Sequence, residues 1–483
     1  ISESDNHRYA GFASNQPITV GSNVLCRADV YNVISSYALP ANYSCVPLYA
    51  RISLDDQTML LQTTPFANSD APKVNPTNEV WSPNGKVGLV STIENGKPYY
   101  KVISNNEWVI NKSPLGLVSD AVDYTQYLSI IGAETRQINE TYTLPTGKKS
   151  TYVNNANELT IHLQTVAGQP FDIVFRASND GVAFRYVMPS QKGKSSIIIK
   201  DEASAVYPAN YKYLLGQKFA SKRNTPNFPY ESYYGKYGVY GEYTDWNTAV
   251  TDASDPRFNS PVMIGSGSQH ILMSEAENIG TYSLSLLKAY SSPTGCMMWQ
   301  HAGDSYQTHK VDGKNNLTVK LPLQTPWRTL QIGDLPTIFA STMQENLCKP
   351  TEMTDLSWME PGVASWDWGG VDGVTYAPLT RYEADEKYAD MAAKMGWKYI
   401  LIDGGWSEYD IQNTINYAHS KGIKVILWMT ARLSESTSFS FENMESTLRT
   451  WKQWGVEGVK IDFWEDDSRE TMERMELLLK LTA

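Results

Sequence analysis

The fold of the C-terminal part of the chain follows from three segments, which read GWKYILID at 396–403, GIKVILWM at 422–429 and GVEGVKID at 455–462. Each segment begins with a glycine, and an apolar run of strand length starts one to three residues later. A glycine at this place is typical of a helix C-cap that leads directly into the next strand. The pattern therefore predicts parallel strands that alternate with helices.

The elements predicted around these segments are four strands and two helices, at 364–368, 399–403, 424–429 and 458–463, and at 381–395 and 471–481. In the first helix, Ala384, Tyr388, Met391 and Met395 form one apolar stripe, which predicts packing on that side. The strand spacing is normal for a (β/α)8 barrel or for a doubly wound sheet.

Residues 346–483 are too few for a complete barrel, which typically needs about 250 residues. An open four-stranded layer would leave two long apolar edges, which native proteins avoid. We therefore expect 346–483 to be the first half of a (β/α)8 TIM barrel, with about four βα units. On this expectation the natural polypeptide continues beyond Ala483.

A long β pattern precedes this part. Segments of residues 80–333 alternate apolar and polar side chains with period two, as in ELTIHLQ at 158–164. Turn signals separate such segments, at 84–85 (NG), 95–96 (NG) and 179–181 (NDG). The pattern predicts an antiparallel β-sandwich domain over 76–345. Residues 1–75, rich in Ser, Asn, Pro and Ala, are interpreted as an N-terminal appendage and linker of unknown role.

Composition excludes several classes of protein. The 483 residues include 41 basic and 52 acidic side chains and carry a net charge of −11, which does not favour a nucleic-acid partner. No apolar run is long enough for a membrane span. The 30 Tyr and 14 Trp suit sugar rings as well as ordinary interfaces.

The four cysteines, Cys26, Cys45, Cys296 and Cys348, form no CxxC pair or Cys/His cluster, so no zinc site is expected. Cys26 and Cys45 either pair or stay as buried thiols. The chain begins at Ile1 without an initiator Met or an apolar leader, so a signal peptide is expected to have been removed or to lie outside the chain.

The strongest polar signal lies on the fourth predicted strand. Period two places Lys460, Asp462 and Trp464 on one strand face. Charges at the carboxyl end of a parallel strand point to where barrel enzymes place their chemistry, and Lys460 can keep Asp462 ionised by proximity. The alternative interpretation is a salt-bridged strand end.

The other predicted strands deliver similar residues to the same edge. Asp403 is followed by two glycines and Trp406, a set that supplies an acceptor for sugar hydroxyls, room for the backbone and a stacking surface. The alternative is a turn aspartate with Trp406 covering the core. Trp366, Asp367 and Trp428 complete the candidate substrate-binding residues. Carboxylates with aromatic walls suit glycoside hydrolysis, which uses two carboxyl groups.

A family resemblance extends from about residue 80 to the end of the chain. The segments that carry it are WSPNG at 81–85, SPLG at 113–116, FRASNDGVAFRY at 175–186, SEAE at 274–277, TPWR at 325–328, PG at 361–362 and WDW at 366–368. The chain resembles glycoside hydrolase family 97. The resemblance implies an N-terminal β-supersandwich followed by a catalytic (β/α)8 barrel, with an oligosaccharide or glycoside as substrate.

Within this family, the Lys-x-Asp-Phe context of Asp462 is similar to that of the retaining, α-galactosidase-like branch. The resemblance implies that Asp462 is the nucleophile that forms a covalent glycosyl-enzyme. By the same analogy Asp403 binds ring hydroxyls, and Lys460 contacts substrate or tunes Asp462. The family's acid/base glutamate comes from a later barrel strand, so the chain as given is expected to be inactive.

The resemblance further implies one calcium ion near the active site, with Glu231 as the candidate ligand, and a secreted or periplasmic protein. A surface glutamate in a Tyr-rich loop is the alternative interpretation of Glu231. Two other functions stay open. One is an α-glucosidase of the same family, and the other is a noncatalytic carbohydrate-binding protein.

Overall fold

The computed structural model describes residues 78–191, 193–218, 242–245, 257–278, 280, 282–291, 295–304, 316–368, 379–464 and 467–483, and four short strands before residue 63. The chain divides into two units, Ile1–Asn75 and Pro76–Ala483. In the first unit the described residues form two antiparallel pairs, β1 (Ser2–Ser4) with β2 (His7–Tyr9) and β3 (Tyr49–Ile52) with β4 (Met59–Gln62).

The first part of the second unit is built from strands, mostly antiparallel. They are β5 (Glu79–Trp81), β6 (Val87–Glu94), β7 (Lys97–Ser104), β8 (Glu107–Pro114), β9 (Leu117–Ser119), β10 (Leu128–Thr143), β11 (Thr151–Thr165), β12 (Pro170–Ser178), β13 (Gly181–Met188), β14 (Ser196–Glu202), β15 (Ala205–Val206), β16 (Tyr213–Lys218), β17 (Glu242–Asp245), β18 (Arg257–Ser266), β19 (Gln269–Ala276), β20 (Ser285–Tyr290), β21 (Cys296–His301), β22 (Leu317–Lys320), β23 (Leu323–Gln324) and β24 (Trp327–Gly333).

These strands form three sheets around one core. β5 to β8 pair in order, β22, β14 and β9 make a three-stranded sheet, and the large sheet runs β10-β11-β12-β13-β24-β19-β18-β20-β21-β15. Residues of β11 alternate between buried and more exposed positions along most of the strand, as period two requires. Tyr100 of β7 packs on Phe184 of β13 with ring centroids 5.3 Å apart, and its hydroxyl donates to Ala205 O at 2.8 Å. The small and large sheets thus share an apolar interior.

A four-stranded parallel sheet follows, made of β25 (Ala364–Trp366), β26 (Tyr399–Ile402), β27 (Lys424–Thr430) and β28 (Gly458–Asp462). The helices of this unit are α1 (Leu335–Ala340), α2 (Met343–Leu347), α3 (Arg381–Met395), α4 (Ile411–Ser420), α5 (Met444–Trp454) and α6 (Arg469–Thr482). The strands pair in chain order, with a helix in each described connection. The structure is thus mostly β with a βα part, and closure into half of a barrel stays a prediction.

The predicted glycine caps are confirmed. Gly396 and Gly455 end α3 and α5 in the left-handed region, with φ of 69° and 93°, and Gly422 follows α4 with φ of 75°. A residue with a Cβ adopts this backbone only at a cost, so glycine suits these sharp exits into a strand. The start of α3 is set by a capping box between Thr380 and Glu383.

The predicted apolar stripe of α3 is wrong at its C-terminal end. Met391 and Met395 are 39% and 58% exposed. The buried face consists instead of Ala384, Asp385, Ala389 and Ala392. Small alanine side chains allow the helix to lie close to the strands, and Asp385 is kept on this face by polar partners described below.

Helix α6 is joined to the β domain by polar contacts. Arg469 Nε donates to Asp304 Oδ1 at 3.0 Å, and the Leu284 amide donates to Asp467 O at 3.0 Å. Cys296 is buried and Cys348 exposed, and both are free thiols. Cys26 and Cys45 lie outside the described residues. No helix in the described ranges has the length and apolar character needed to cross a membrane.

Candidate active site

Asp462 is the last residue of β28, and three donors surround its carboxylate. Trp428 Nε1 donates to Oδ2 at 3.1 Å, and the Phe463 amide donates to Oδ1 at 2.8 Å. Lys460 Nζ lies 3.4 Å from Oδ2. Lys460 is two positions earlier on the same strand, so the period of the strand places both side chains on one face. These donors all favour the ionised form of Asp462.

The pKa of Asp462 reflects a balance of burial and donors. Partial burial raises the pKa of this carboxyl, but the Trp428 and Phe463 hydrogen bonds and the Lys460 charge together outweigh it. The pKa of Asp462 therefore lies below its ordinary value. With its side chain 38% exposed, Asp462 is an accessible anion, which is what a carboxylate nucleophile requires.

Phe463 has a left-handed backbone, with φ of 54°. For a residue with a Cβ this conformation is strained, and such strain is typical of functional sites. The strand was predicted to run through 463, but this turn ends it at Asp462. Trp464 therefore lies beyond the strand, and the Arg474 guanidinium lies 5.2 Å from the centre of its ring.

Asp403, directly after β26, is the second anion of the site. Its Oδ2 accepts from Lys460 Nζ at 2.9 Å and from Trp366 Nε1 at 2.8 Å, and its Oδ1 accepts from the Gly404 amide at 2.8 Å. Asp403 is only 3% exposed, because Trp366 and Lys460 cover it. A contact between Asp403 and a sugar hydroxyl stays a prediction.

Trp366 presents the open surface of the site. It ends β25, is 47% exposed, and has Lys460 Nζ 4.5 Å from its ring centre. A cation over an indole is attractive, and here it orients the ring and the ammonium group together. Trp366, Lys460 and Asp462 thus form one continuous accessible surface at the carboxyl edge of the sheet, with Trp428 beside it.

Asp367 lies behind this surface rather than on it. It is fully buried, and its two oxygens accept from the Asp403 amide at 2.8 Å and from Arg381 Nη2 at 3.0 Å. The predicted direct contact with substrate does not fit this position, because the carboxylate faces the interior. Asp367 instead supports the backbone of Asp403.

Trp406 belongs to the core. It is 9% exposed, packs edge-on against Trp451 and Trp454, and donates from Nε1 to Trp428 O at 2.8 Å. Of the two interpretations of Trp406, this packing favours the core cover over the stacking surface. The indole still contributes to the site, because its hydrogen bond holds the strand that carries Trp428.

The two glycines between Asp403 and Trp406 make room for side chains of the protein. A Cβ on Gly405 would lie 2.5 Å from Arg381 Nη1, and one on Gly404 would lie 3.0 Å from the Trp428 ring. Gly405 also has φ of 94°. The two glycines, predicted to leave room for close approach of the backbone, accommodate the side chains of Arg381 and Trp428.

Sequence reasoning missed a buried polar group beneath the site, made of Arg381, Asp385 and Tyr409. Arg381 Nη2 donates to the Asp403 carbonyl at 2.9 Å as well as to Asp367. Asp385 faces Asp367 and accepts from the Tyr409 hydroxyl. The one available signal was Asp385 itself, a carboxylate on the helix side that faces the strands.

The described residues contain no cluster of side chains that is suited to a metal ion. Among them, no group of three or more His, Cys, Asp or Glu is arranged to hold an ion. Glu231, the predicted calcium ligand, lies outside the described residues.

Two protein-family models match the chain. The model described as Glycosyl-hydrolase 97 N-terminal matches residues 80–350, and the model described as Glycoside hydrolase 97 matches residues 365–483. The chain belongs to glycoside hydrolase family 97. Asp403, Lys460 and Asp462 all lie within the second matched range of this family.

Curated relatives of this family 97 chain include two α-galactosidases. It is 27% identical over 448 residues to a probable retaining alpha-galactosidase of Streptomyces bingchenggensis, covering 88% of this chain and 63% of the relative. It is 25% identical to a retaining alpha-galactosidase of Bacteroides thetaiotaomicron, covering 80% of this chain and 60% of the relative. The chain thus spans about three fifths of the length of these relatives.

Two solved structures resemble this chain in fold. A structure described as a beta-arabinopyranosidase matches with a TM-score of 0.72 and 26% identity, covering 83% of this chain and 64% of that chain. A family 97 enzyme of Pseudoalteromonas sp. strain K8, in complex with acarbose, matches with a TM-score of 0.69 and 21% identity, covering 84% of this chain and 64% of that chain. The second match indicates a shared fold.

Proposed function

We propose that this chain carries the nucleophile and part of the sugar site of a retaining glycoside hydrolase that releases terminal α-linked galactose. The observation that carries the proposal is Asp462, an accessible carboxylate kept ionised by Trp428, the Phe463 amide and Lys460. The two α-galactosidase relatives support galactose as the sugar.

In the proposed reaction, an oxygen of Asp462 attacks the anomeric carbon while the glycosidic C–O bond breaks and the leaving oxygen takes a proton from an acid group. Water then attacks the same carbon, loses a proton to the same group, and frees Asp462. Lys460 keeps the nucleophile charged, and Trp428 and the Phe463 amide orient its two oxygens. Trp366 offers the exposed aromatic face beside which the sugar ring lies.

The proposal assigns the acid/base role to a glutamate of a later strand, as the resemblance implies. It therefore includes the predicted barrel, of which β25 to β28 would form the first half. The consecutive order of these parallel strands supports this part of the proposal. So does Asp462, since barrel enzymes place their reactive groups at the carboxyl ends of strands.

The sugar is tested with nitrophenyl glycosides and the full-length protein. Hydrolysis of the α-galactoside in preference to the α-glucoside supports the proposal, and the reverse preference makes the protein an α-glucosidase. A β-arabinopyranoside belongs in the same screen because of the arabinopyranosidase neighbour. Proton NMR of the first product decides stereochemistry, because retention releases α-galactose before mutarotation.

The nucleophile is tested with Asp462→Ala. We expect hydrolysis to be lost and partly restored by azide, with β-galactosyl azide as the product, because azide fills the space of the carboxylate and attacks from the same side. Asp390→Ala is the control, since Asp390 is an exposed residue of α3 paired with Lys421. Asp462→Ala with unchanged hydrolysis would refute the assignment. Sugar binding without hydrolysis in the wild-type protein would favour a carbohydrate-binding protein instead.

Two further parts of the proposal come from the family resemblance. One is a single calcium ion with Glu231 among its ligands, since carboxylate oxygens suit calcium. Elemental analysis of the purified protein, with and without Glu231→Gln, tests it. The other is a location outside the cytoplasm, which cell fractionation tests.

A further inference from the structure

Beneath the site, a series of polar contacts connects Asp385, on α3, to Lys460 and Trp366. The Tyr409 hydroxyl donates to Asp385 Oδ2, and the carboxyl group of Asp385 faces that of Asp367. Asp367 Oδ1 accepts from the Asp403 amide at 2.8 Å. Asp403 in turn binds Lys460 and Trp366. The three carboxyl groups of this series, those of Asp385, Asp367 and Asp403, are buried.

If Asp385 and Asp367 are both ionised, the contact between their carboxyl groups has no hydrogen-bond donor. Asp385 is 1% exposed, and its Oδ1 receives no hydrogen from any N–H or O–H group of the described residues. Two carboxylates that face each other in a buried place repel, whereas one shared proton makes a hydrogen bond between them. Arg381 supplies one positive charge, which balances one carboxylate but not two.

We propose that Asp385 is a positioning residue that, in its protonated form, holds Asp367 against the Asp403 amide and so keeps Asp403, Lys460 and Trp366 in the arrangement that binds sugar. Loss of this proton places a second negative charge in the interior and loosens the support of Asp403. Sugar binding then weakens as the pH rises. The effect on sugar binding rests on the proposed function, whereas the protonation of Asp385 and its support of Asp403 do not.

The titration of Asp385 is set by the groups that face it. Burial is the largest influence and raises the pKa of Asp385, Tyr409 lowers it, Asp367 raises it and Arg381 lowers it, and the result is about 7. These three residues lie after β25, in the first turn of α3 and before α4, and they are the titratable and charged groups shown to act on Asp385. Burial likewise raises the pKa of Asp367.

Asp385→Asn is the decisive variant, because asparagine copies the protonated acid. Its amide nitrogen can donate to Asp367 and its oxygen can accept from Tyr409, at every pH. Asp390→Asn is the matched control, on the exposed side of the same helix. Both variants keep the size of the side chain, so neither opens a cavity.

The first readout is the Kd of the full-length protein for galactose at pH 5.5 and pH 8.5. If only the protonated form binds, the wild type weakens by up to about 30-fold at the higher pH, because the competent fraction falls to about 3%. We expect the control to weaken equally and Asp385→Asn to change less than about 2-fold on the same reasoning. Equal pH dependence in all three proteins would overturn the proposal.

The second readout needs no sugar. Hydrogen exchange of the Asp403 amide, corrected for its intrinsic dependence on pH, reports the bond to Asp367. We expect protection to fall between pH 5.5 and 8.5 in the wild type and the control, and to persist in Asp385→Asn. If galactose does not bind but this pattern appears, the proposed function fails and the positioning role of Asp385 stands. If protection is the same in all three proteins at both pH values, the positioning role is refuted.

Discussion

Lys460 Nζ lies 3.4 Å from Oδ2 of Asp462, in a pair of residues separated by one position of β28. Because alternate residues of a strand share a face, this pair is local and needs no distant part of the chain. The same ammonium group reaches Asp403 Oδ2 at 2.9 Å and thereby ties the ends of β26 and β28 together. One cation thus serves both anions of the site.

Lys460→Met is expected to move the acid limb of kcat/KM to higher pH. The pKa of Asp462 is held below its ordinary value partly by the Lys460 charge, so loss of that charge raises the pKa, and the carboxylate is protonated earlier as the pH falls. A pH profile of kcat/KM measures the shift. Lys452→Met, on the exposed side of α5, is the control. An unmoved acid limb would show that Lys460 does not tune Asp462.

Two substitutions of Phe463 separate the contribution of its ring to stability from that of its left-handed backbone. Phe463→Ala and Phe463→Gly both lose the edge contact with Trp428, whose ring centre is 6.0 Å away. Only glycine adopts the left-handed backbone without cost, so we expect the glycine variant to be the more stable by about 1 kcal/mol. Urea unfolding measures the difference. At Lys452, inside helix α5, the order of the alanine and glycine variants should be reversed by a similar amount. If the alanine variant were the more stable at Phe463 as well as at Lys452, the turn after Asp462 would store no strain.

Arg381→Met is expected to destabilise the protein by about 3 kcal/mol, because it leaves the buried Asp367 carboxylate without its cation. Adding Asp367→Asn should restore much of the lost stability, since the buried carboxylate charge is then gone.

The destabilisation by Arg381→Met should be greater at pH 8 than at pH 5. Burial raises the pKa of Asp367 and of Asp385 in the folded state, so folding takes up protons and its stability falls as the pH rises from about 4 to about 7. Denaturant unfolding of the single and double variants at both pH values measures these effects, and a double variant no more stable than Arg381→Met would contradict the ion-pair account.

Local patterns predicted the elements of the α/β part well. The glycines at 396, 422 and 455 mark helix ends because few other residues adopt their backbone, and this restriction acts wherever the rest of the chain lies. The apolar stripe of α3 was less informative, because which side of a helix is buried depends on its neighbours. Alanines and Asp385 meet the strands, while two methionines face outward.

The sequence by itself determined the four parallel strands with the helices α3 and α6, the pairing of Lys460 with Asp462 on one face, and the family to which these residues belong. Those features depend on backbone period and on residue type, which are properties of short segments. Only the tertiary structure decided that Trp406 and Asp367 are buried, that Trp366 is exposed, and that Asp385 faces Asp367. These outcomes depend on which groups from distant segments compete for the same space, hydrogen bonds and charge, and a buried polar group is stable only where such partners meet it.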